Sequence, residues 1–181
     1  MKVLILINKV GLGDCIIHIN YIHEISKKYE KPVSILAKEN TRAKDLFLDD
    51  PHIDEVITLD RSTDSSGSHD GLSGFFKLAK DIKEKKFDKV FIFNSSLRYL
   101  SICKFAGIKK IAQYPLFKKK GQHVVNTAKI FTENELNKIV STQPKLLISE
   151  DKILKARKDI SGKPNEFLFW LQISKFNWNN F

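Results

Sequence analysis

Between the apolar run Val3-Leu4-Ile5-Leu6-Ile7 and a stretch of helical periodicity stands Lys9-Val10-Gly11-Leu12-Gly13-Asp14. Gly11 and Gly13 allow a tight turn and a close backbone approach to a ligand. The helix start that follows offers unpaired N–H groups and a partial positive charge, which suit an anion or a carboxylate. A dinucleotide fingerprint needs a third glycine where Cys15 and Ile16 stand, and the Gly-Lys-Ser/Thr of a P-loop is missing from the sequence. What remains is the carboxylate of Asp14 in a first helical turn, beside the positive end of the helix dipole. On local sequence alone an N-cap is the simpler reading. The chemical reading is a general base.

Other chemistry-bearing residues are sparser. Cys15 and Cys103 lie outside any CxxC or Cys/His spacing, so they indicate neither a metal site nor a redox pair and read as small buried apolar residues. His18 and His23 read as helix-surface or core-edge residues rather than catalytic ones. Lys118-Lys119-Lys120 reads as a solvated loop.

The elements that must position Asp14 follow from periodicity. The β-branched run at residues 3–7 suits a strand covered on both faces. Cys15, Ile19, Ile22 and Ile25 then fall at helical spacing, which predicts a helix over residues 14–29. Strands are expected at 33–36, 56–59, 90–93, 110–112 and 146–148, with helices near 41–48, 72–85 and 97–105. Such alternation predicts an α/β fold with a Rossmann-like, doubly wound parallel sheet. Ligands there gather beyond the carboxyl ends of the strands, which selects the loops 8–14, 60–74 and 94–98. The Ser-, Gly- and Asp-rich loop 60–74 is expected to be mobile.

The chain has 181 residues, 42% of them apolar, enough for one sizeable core. No run reaches the roughly 18 apolar residues of a spanning helix, and no signal peptide opens the sequence, so a cytoplasmic location is expected. Thirty-one basic against 21 acidic residues give a net charge of +10, which favours anionic partners. Only Arg42, Arg61, Arg98 and Arg157 are arginines, and a lysine-rich chain also arises from biased composition, so both readings of the charge stand. No nucleic-acid-binding pattern accompanies it.

Several stretches together resemble glycosyltransferase family 9, the ADP-heptose:lipopolysaccharide heptosyltransferases and their relatives. They are Met1 to Lys9 with Gly11-Leu12-Gly13-Asp14, then Asp54-Glu55-Val56-Ile57-Thr58-Leu59-Asp60-Arg61, Phe87-Asp88-Lys89-Val90 and Asn94-Ser95-Ser96-Leu97-Arg98. The resemblance implies the N-terminal, acceptor-side domain of a GT-B fold over residues 1–150, followed at 151–181 by a linker and the truncated start of a donor-binding domain. It implies an inverting, metal-independent transferase with no cofactor, in which Asp14 is the catalytic base. Lys9, Gly11, Gly13, Arg61, Asn94, Ser95 and Arg98 are then the substrate-binding positions. The implied partners are a nucleotide-sugar donor of the ADP-heptose kind, held mainly by the other domain, and an anionic glycolipid or glycan acceptor. Peripheral contact with the inner membrane is a further expectation, and a non-enzymatic module binding anionic glycolipid or membrane is the alternative. Glu166 to Leu171 resembles the first donor-domain strand, but the phosphate-binding loop expected after it does not follow, so the chain alone is expected to be inactive.

Overall fold

The computed structural model describes residues 1–8, 11–62, 64, 66–115 and 123–161. It divides into two units, Met1–Leu146 and Leu147–Phe181.

The first unit holds β1 (Val3–Ile7), α1 (Leu12–Tyr29), β2 (Val33–Ala37), a 3-10 turn (Glu39–Thr41) and α2 (Ala43–Leu46). There follow β3 (Ile53–Thr58), α3 (Gly71–Glu84), β4 (Lys89–Ile92), α4 (Leu97–Phe105), β5 (Lys110–Gln113) and α5 (Val124–Leu136). The strands form one sheet in the order β3-β2-β1-β4-β5, parallel at every pairing. The α/β, doubly wound architecture expected from alternation is the one observed.

Side-chain alternation in β1 explains its central place. Val3, Ile5 and Ile7 pack with α1, α5 and Phe47, whereas Leu4 and Leu6 pack with α3 and α4. All five are at most 1% exposed. Each such burial contributes about 1.5–3 kcal/mol, so the strand is stable only with helices on both faces.

Three local expectations need correction. Residues 146–148 are irregular rather than a strand, and α5 occupies a stretch for which no helix is predicted. His18 and His23, expected at the helix surface or the core edge, are buried, at 0% and 4% exposure, His18 against Phe93 and His23 against Asp50 and His52. Lys118–Lys120 and Glu166–Leu171 lie outside the described residues.

In the second unit the described structure is α6 (Glu150–Ser161), with Glu150 and Asp151 in its first turn and Lys158 in its last, which complements the helix dipole. No helix among the described residues is long and apolar enough to cross a membrane.

Candidate active site

The chain passes from β1 to β2 on one side and later returns from β3 to β4 on the other, so the gap between β1 and β4 is the topological switch point of the sheet. In a parallel sheet the connections leaving the strand ends diverge at such a point, which is where a ligand crevice is expected. Its walls are the β1–α1 turn and the β4–α4 turn.

On the first wall, Gly11 is the N-cap of α1, in extended conformation with no side-chain cap, and Asp14 lies in the first turn. The leading N–H groups therefore receive no capping side chain and remain able to bind an anion. Asp14 is half-buried, and no hydrogen bond joins its carboxylate to any described residue. Its carbonyl instead accepts from His18 Nδ1 at 2.5 Å, and the His18 ring packs edge-on against Phe93 with centroids 5.0 Å apart. The helix start is thereby pinned to the sheet while its acidic side chain stays open.

Neither glycine of this turn is required by the protein's own packing. Gly11 has φ of −141°, which any residue adopts. A Cβ on Gly13 would meet nothing within 4 Å among the described residues, and one on Gly11 would meet only Asp14 Oδ2 at 3.8 Å. No described residue fills the space above Gly13, and only the Asp14 carboxylate approaches that above Gly11.

On the second wall, Phe93 N donates to the Leu6 carbonyl at 3.0 Å and Leu6 pairs with Ile92. Continued two residues beyond Leu6 and Ile92, this register places Asn8 beside Asn94. Asn94 Oδ1 accepts from Ser96 N at 2.9 Å, which orients its amide nitrogen away from the turn. Gln113 Nε2 clamps the same turn through the carbonyls of Asn94 (3.1 Å) and Ser96 (2.9 Å). Asn94 Nδ2 and Asn8 Oδ1 are both buried and have no hydrogen-bond partner among the described residues. An unpaired buried donor and acceptor cost about 1–3 kcal/mol each, and a group that accepts from one and donates to the other, such as a hydroxyl, relieves both. Ser95 is half-exposed between Asn94 and Ser96.

The third expected loop is built differently. Asp70 receives Arg61 Nε at 2.8 Å, Ser62 N at 3.0 Å and Gly67 N at 3.0 Å. The Ser62 backbone bond and then the Arg61 guanidinium hold its carboxyl at a pKa of about 2. Arg61 Nη1 reaches Tyr99 Oη at 3.3 Å, and Arg98 Nη2 donates to the carbonyls of His69 (3.0 Å) and Gly71 (2.8 Å). The described residues of the loop are thus tied to α4.

Of the sequence-derived site residues, Gly11, Gly13, Asp14, Asn94 and Ser95 flank the switch point, and Lys9 lies outside the described residues. Arg61 and Arg98 stand together at the β3–α3 loop, engaged with the protein itself. Asn8 was not singled out by sequence reasoning. The available signal was its place at the end of a fully apolar strand, opposite the Asn94 turn.

No protein-family model and no curated protein matches the sequence. Solved structures do match. A glycosyl transferase family 9 protein from Veillonella parvula DSM 2008 aligns with a TM-score of 0.66 at 18% identity, covering 89% of this chain and 49% of that one. The E. coli ADP-heptose LPS heptosyltransferase II aligns with a TM-score of 0.58 at 17% identity, covering 89% of this chain and 51% of that one. The chain shares the fold of these structures. Its five-stranded parallel sheet with flanking helices is consistent with the N-terminal, Rossmann-like half of such an enzyme, and the chain spans about half the length of the proteins it matches.

Proposed function

We propose that these residues form the acceptor side of an inverting, metal-independent glycosyltransferase of the heptosyltransferase kind. The donor is a nucleotide-sugar such as ADP-heptose, and the acceptor is a hydroxyl of a lipopolysaccharide or related glycan at the cytoplasmic face of the membrane. The observation that carries this reading is the Asp14 carboxylate, presented at the start of α1 with no hydrogen-bond partner among the described residues, above the central strand and beside the switch point.

In the reaction, Asp14 takes the proton of the acceptor hydroxyl as its oxygen bonds to the anomeric carbon. The bond from that carbon to the nucleotide diphosphate breaks, and the leaving group departs with the electron pair. Asn8 and Asn94 orient acceptor hydroxyls, and Gly11, Gly13 and Ser95 leave room for the sugar. Arg61 and Arg98 hold the β3–α3 loop, so a phosphate contact by either would compete with bonds already made. Residues 1–150 supply this acceptor side, and the residues after them lead toward a donor-side domain, which must complete the site whether or not it is continuous with this chain.

The 181 residues alone, incubated with ADP-heptose and a lipopolysaccharide-core acceptor, are expected to release no ADP. In the transferase completed by a donor-side domain, Asp14→Asn should lower the transfer rate by about 10²–10⁴-fold with folding unchanged. Undiminished turnover in that variant would remove the base assignment.

A second reading is a module for anionic membrane. It is favoured by the exposed Leu72, Phe76, Leu97 and Phe105 on α3 and α4, with exposed Lys77, Lys80 and Lys104 alongside. Apolar side chains beside lysines suit an anionic interface. Sedimentation with phosphatidylglycerol vesicles, weakening with salt and with Phe76→Ser but not with Asp14→Asn, is its signature.

A further inference from the structure

Away from the switch point, His23, Asp50 and His52 bring their side chains together where α1 meets the connection from α2 to β3. His23 follows Asp14 by nine residues on α1, about 13 Å along the helix axis, so the cluster is separate from the proposed reaction. His23 Nε2 lies 2.6 Å from Asp50 Oδ2, and His52 Nδ1 lies 3.1 Å from Asp50 Oδ1. One ligand atom from each residue can be chosen so that all lie within 4.8 Å of one another.

We propose that His23, Asp50 and His52 form a binding site for a divalent first-row transition ion of the Zn²⁺ class, which staples α1 to the α2–β3 connection. Two imidazoles and a carboxylate are a donor set that such ions accept. The side chains of His23 and Asp50 are 5% and 1% exposed, so the site excludes bulk water on that side. That of His52 is 24% exposed and leaves an entry path and a coordination position for water.

Tetrahedral bonds of about 2.0–2.2 Å place neighbouring donor atoms roughly 3.4 Å apart. The His52–Asp50 separation is already close to that value. His23 meets the other carboxylate oxygen, Oδ2, so the carboxylate or a ring must shift as the ion replaces the proton that His23 and Asp50 share. The rings of His23 and His52 are stacked, with centroids 4.4 Å apart and planes at 25°. One ring must therefore turn for both lone pairs to meet a single ion, and His52, at the exposed edge, has the room. His52 N also donates to Asp50 Oδ1 at 3.0 Å, which fixes the carboxylate as a ligating residue requires.

The test uses the untagged chain, stripped with a chelator and titrated with ZnCl2 and, separately, with CoCl2. One equivalent should bind at micromolar concentration, raise the thermal midpoint and give the visible absorption of Co²⁺ in a low-symmetry nitrogen and oxygen site. His52→Ala removes a half-exposed ligand, so the fold tolerates it, and should weaken binding by more than about tenfold. His123→Ala, at the N-cap of α5, should leave binding unchanged. Absence of saturable binding overturns the proposal, and the cluster is then a hydrogen-bonded latch only. Equal binding by the wild type and His52→Ala overturns it too, because the ion then sits elsewhere.

Discussion

The turn after β1 and the loop after β3 are both polar connections at the carboxyl end of the same sheet, yet they treat their polar atoms in opposite ways. In the β3–α3 loop, Asp70 gathers Arg61, Ser62 and Gly67, and Arg98 closes the network from α4 through Nη2 to His69 and Gly71, its buried Nε alone left without a partner among the described residues of this network. At the switch point the Asp14 carboxylate, Asn8 Oδ1 and Asn94 Nδ2 have no hydrogen-bond partner among the described residues, and the two amide atoms are buried. Saturated polar groups serve as scaffold, and groups left open await something from outside the chain. Charge alone points the other way, since the two arginines are the more conspicuous residues in the sequence.

The contrast can be broken experimentally. Its largest consequence is the loss in transfer rate of Asp14→Asn, expected without any change in the denaturation midpoint. Next in size, Arg98→Ala strands the carbonyl of the buried His69 and should cost about 1–2 kcal/mol of stability, read by urea unfolding. Unaltered stability with weakened acceptor binding would move Arg98 from the scaffold to the site. The smallest effect is the most diagnostic. Gly13→Ala should stabilise the chain by about 0.5–1 kcal/mol, because alanine suits a helix better than glycine, while raising KM for the acceptor. Stabilisation without that rise would show that the space over Gly13 is not used.

The sheet and α1, α3 and α4 were legible because β-branched runs and helical stripes agree there with the packing. The helix α5 was not, because its buried face includes Thr127 and Thr132 while Ile130 is 50% exposed, which blurs the apolar stripe. The strand expected at 146–148 has the composition of a strand but no place in the sheet. For the site, the glycine turn exposed Asp14 to sequence reasoning, whereas Asn8 became visible only once β1 and β4 were in register. The His23–Asp50–His52 cluster joins residues 27 apart through packing that no local pattern encodes.

The parallel sheet also sets an order of assembly. No two neighbouring strands can be joined by a short hairpin, since every ladder is parallel. Lys2 N donates to Asp88 across 86 residues of chain, so zipping β1 to β4 closes a far longer loop than zipping β1 to β2, and at a greater entropic cost. The crevice beside Asp14 comes into being only with that closure. A nascent or misfolded chain stalled before it carries the glycine turn but no groove, so competence to bind the acceptor reports on completion of the most sequence-distant ladder.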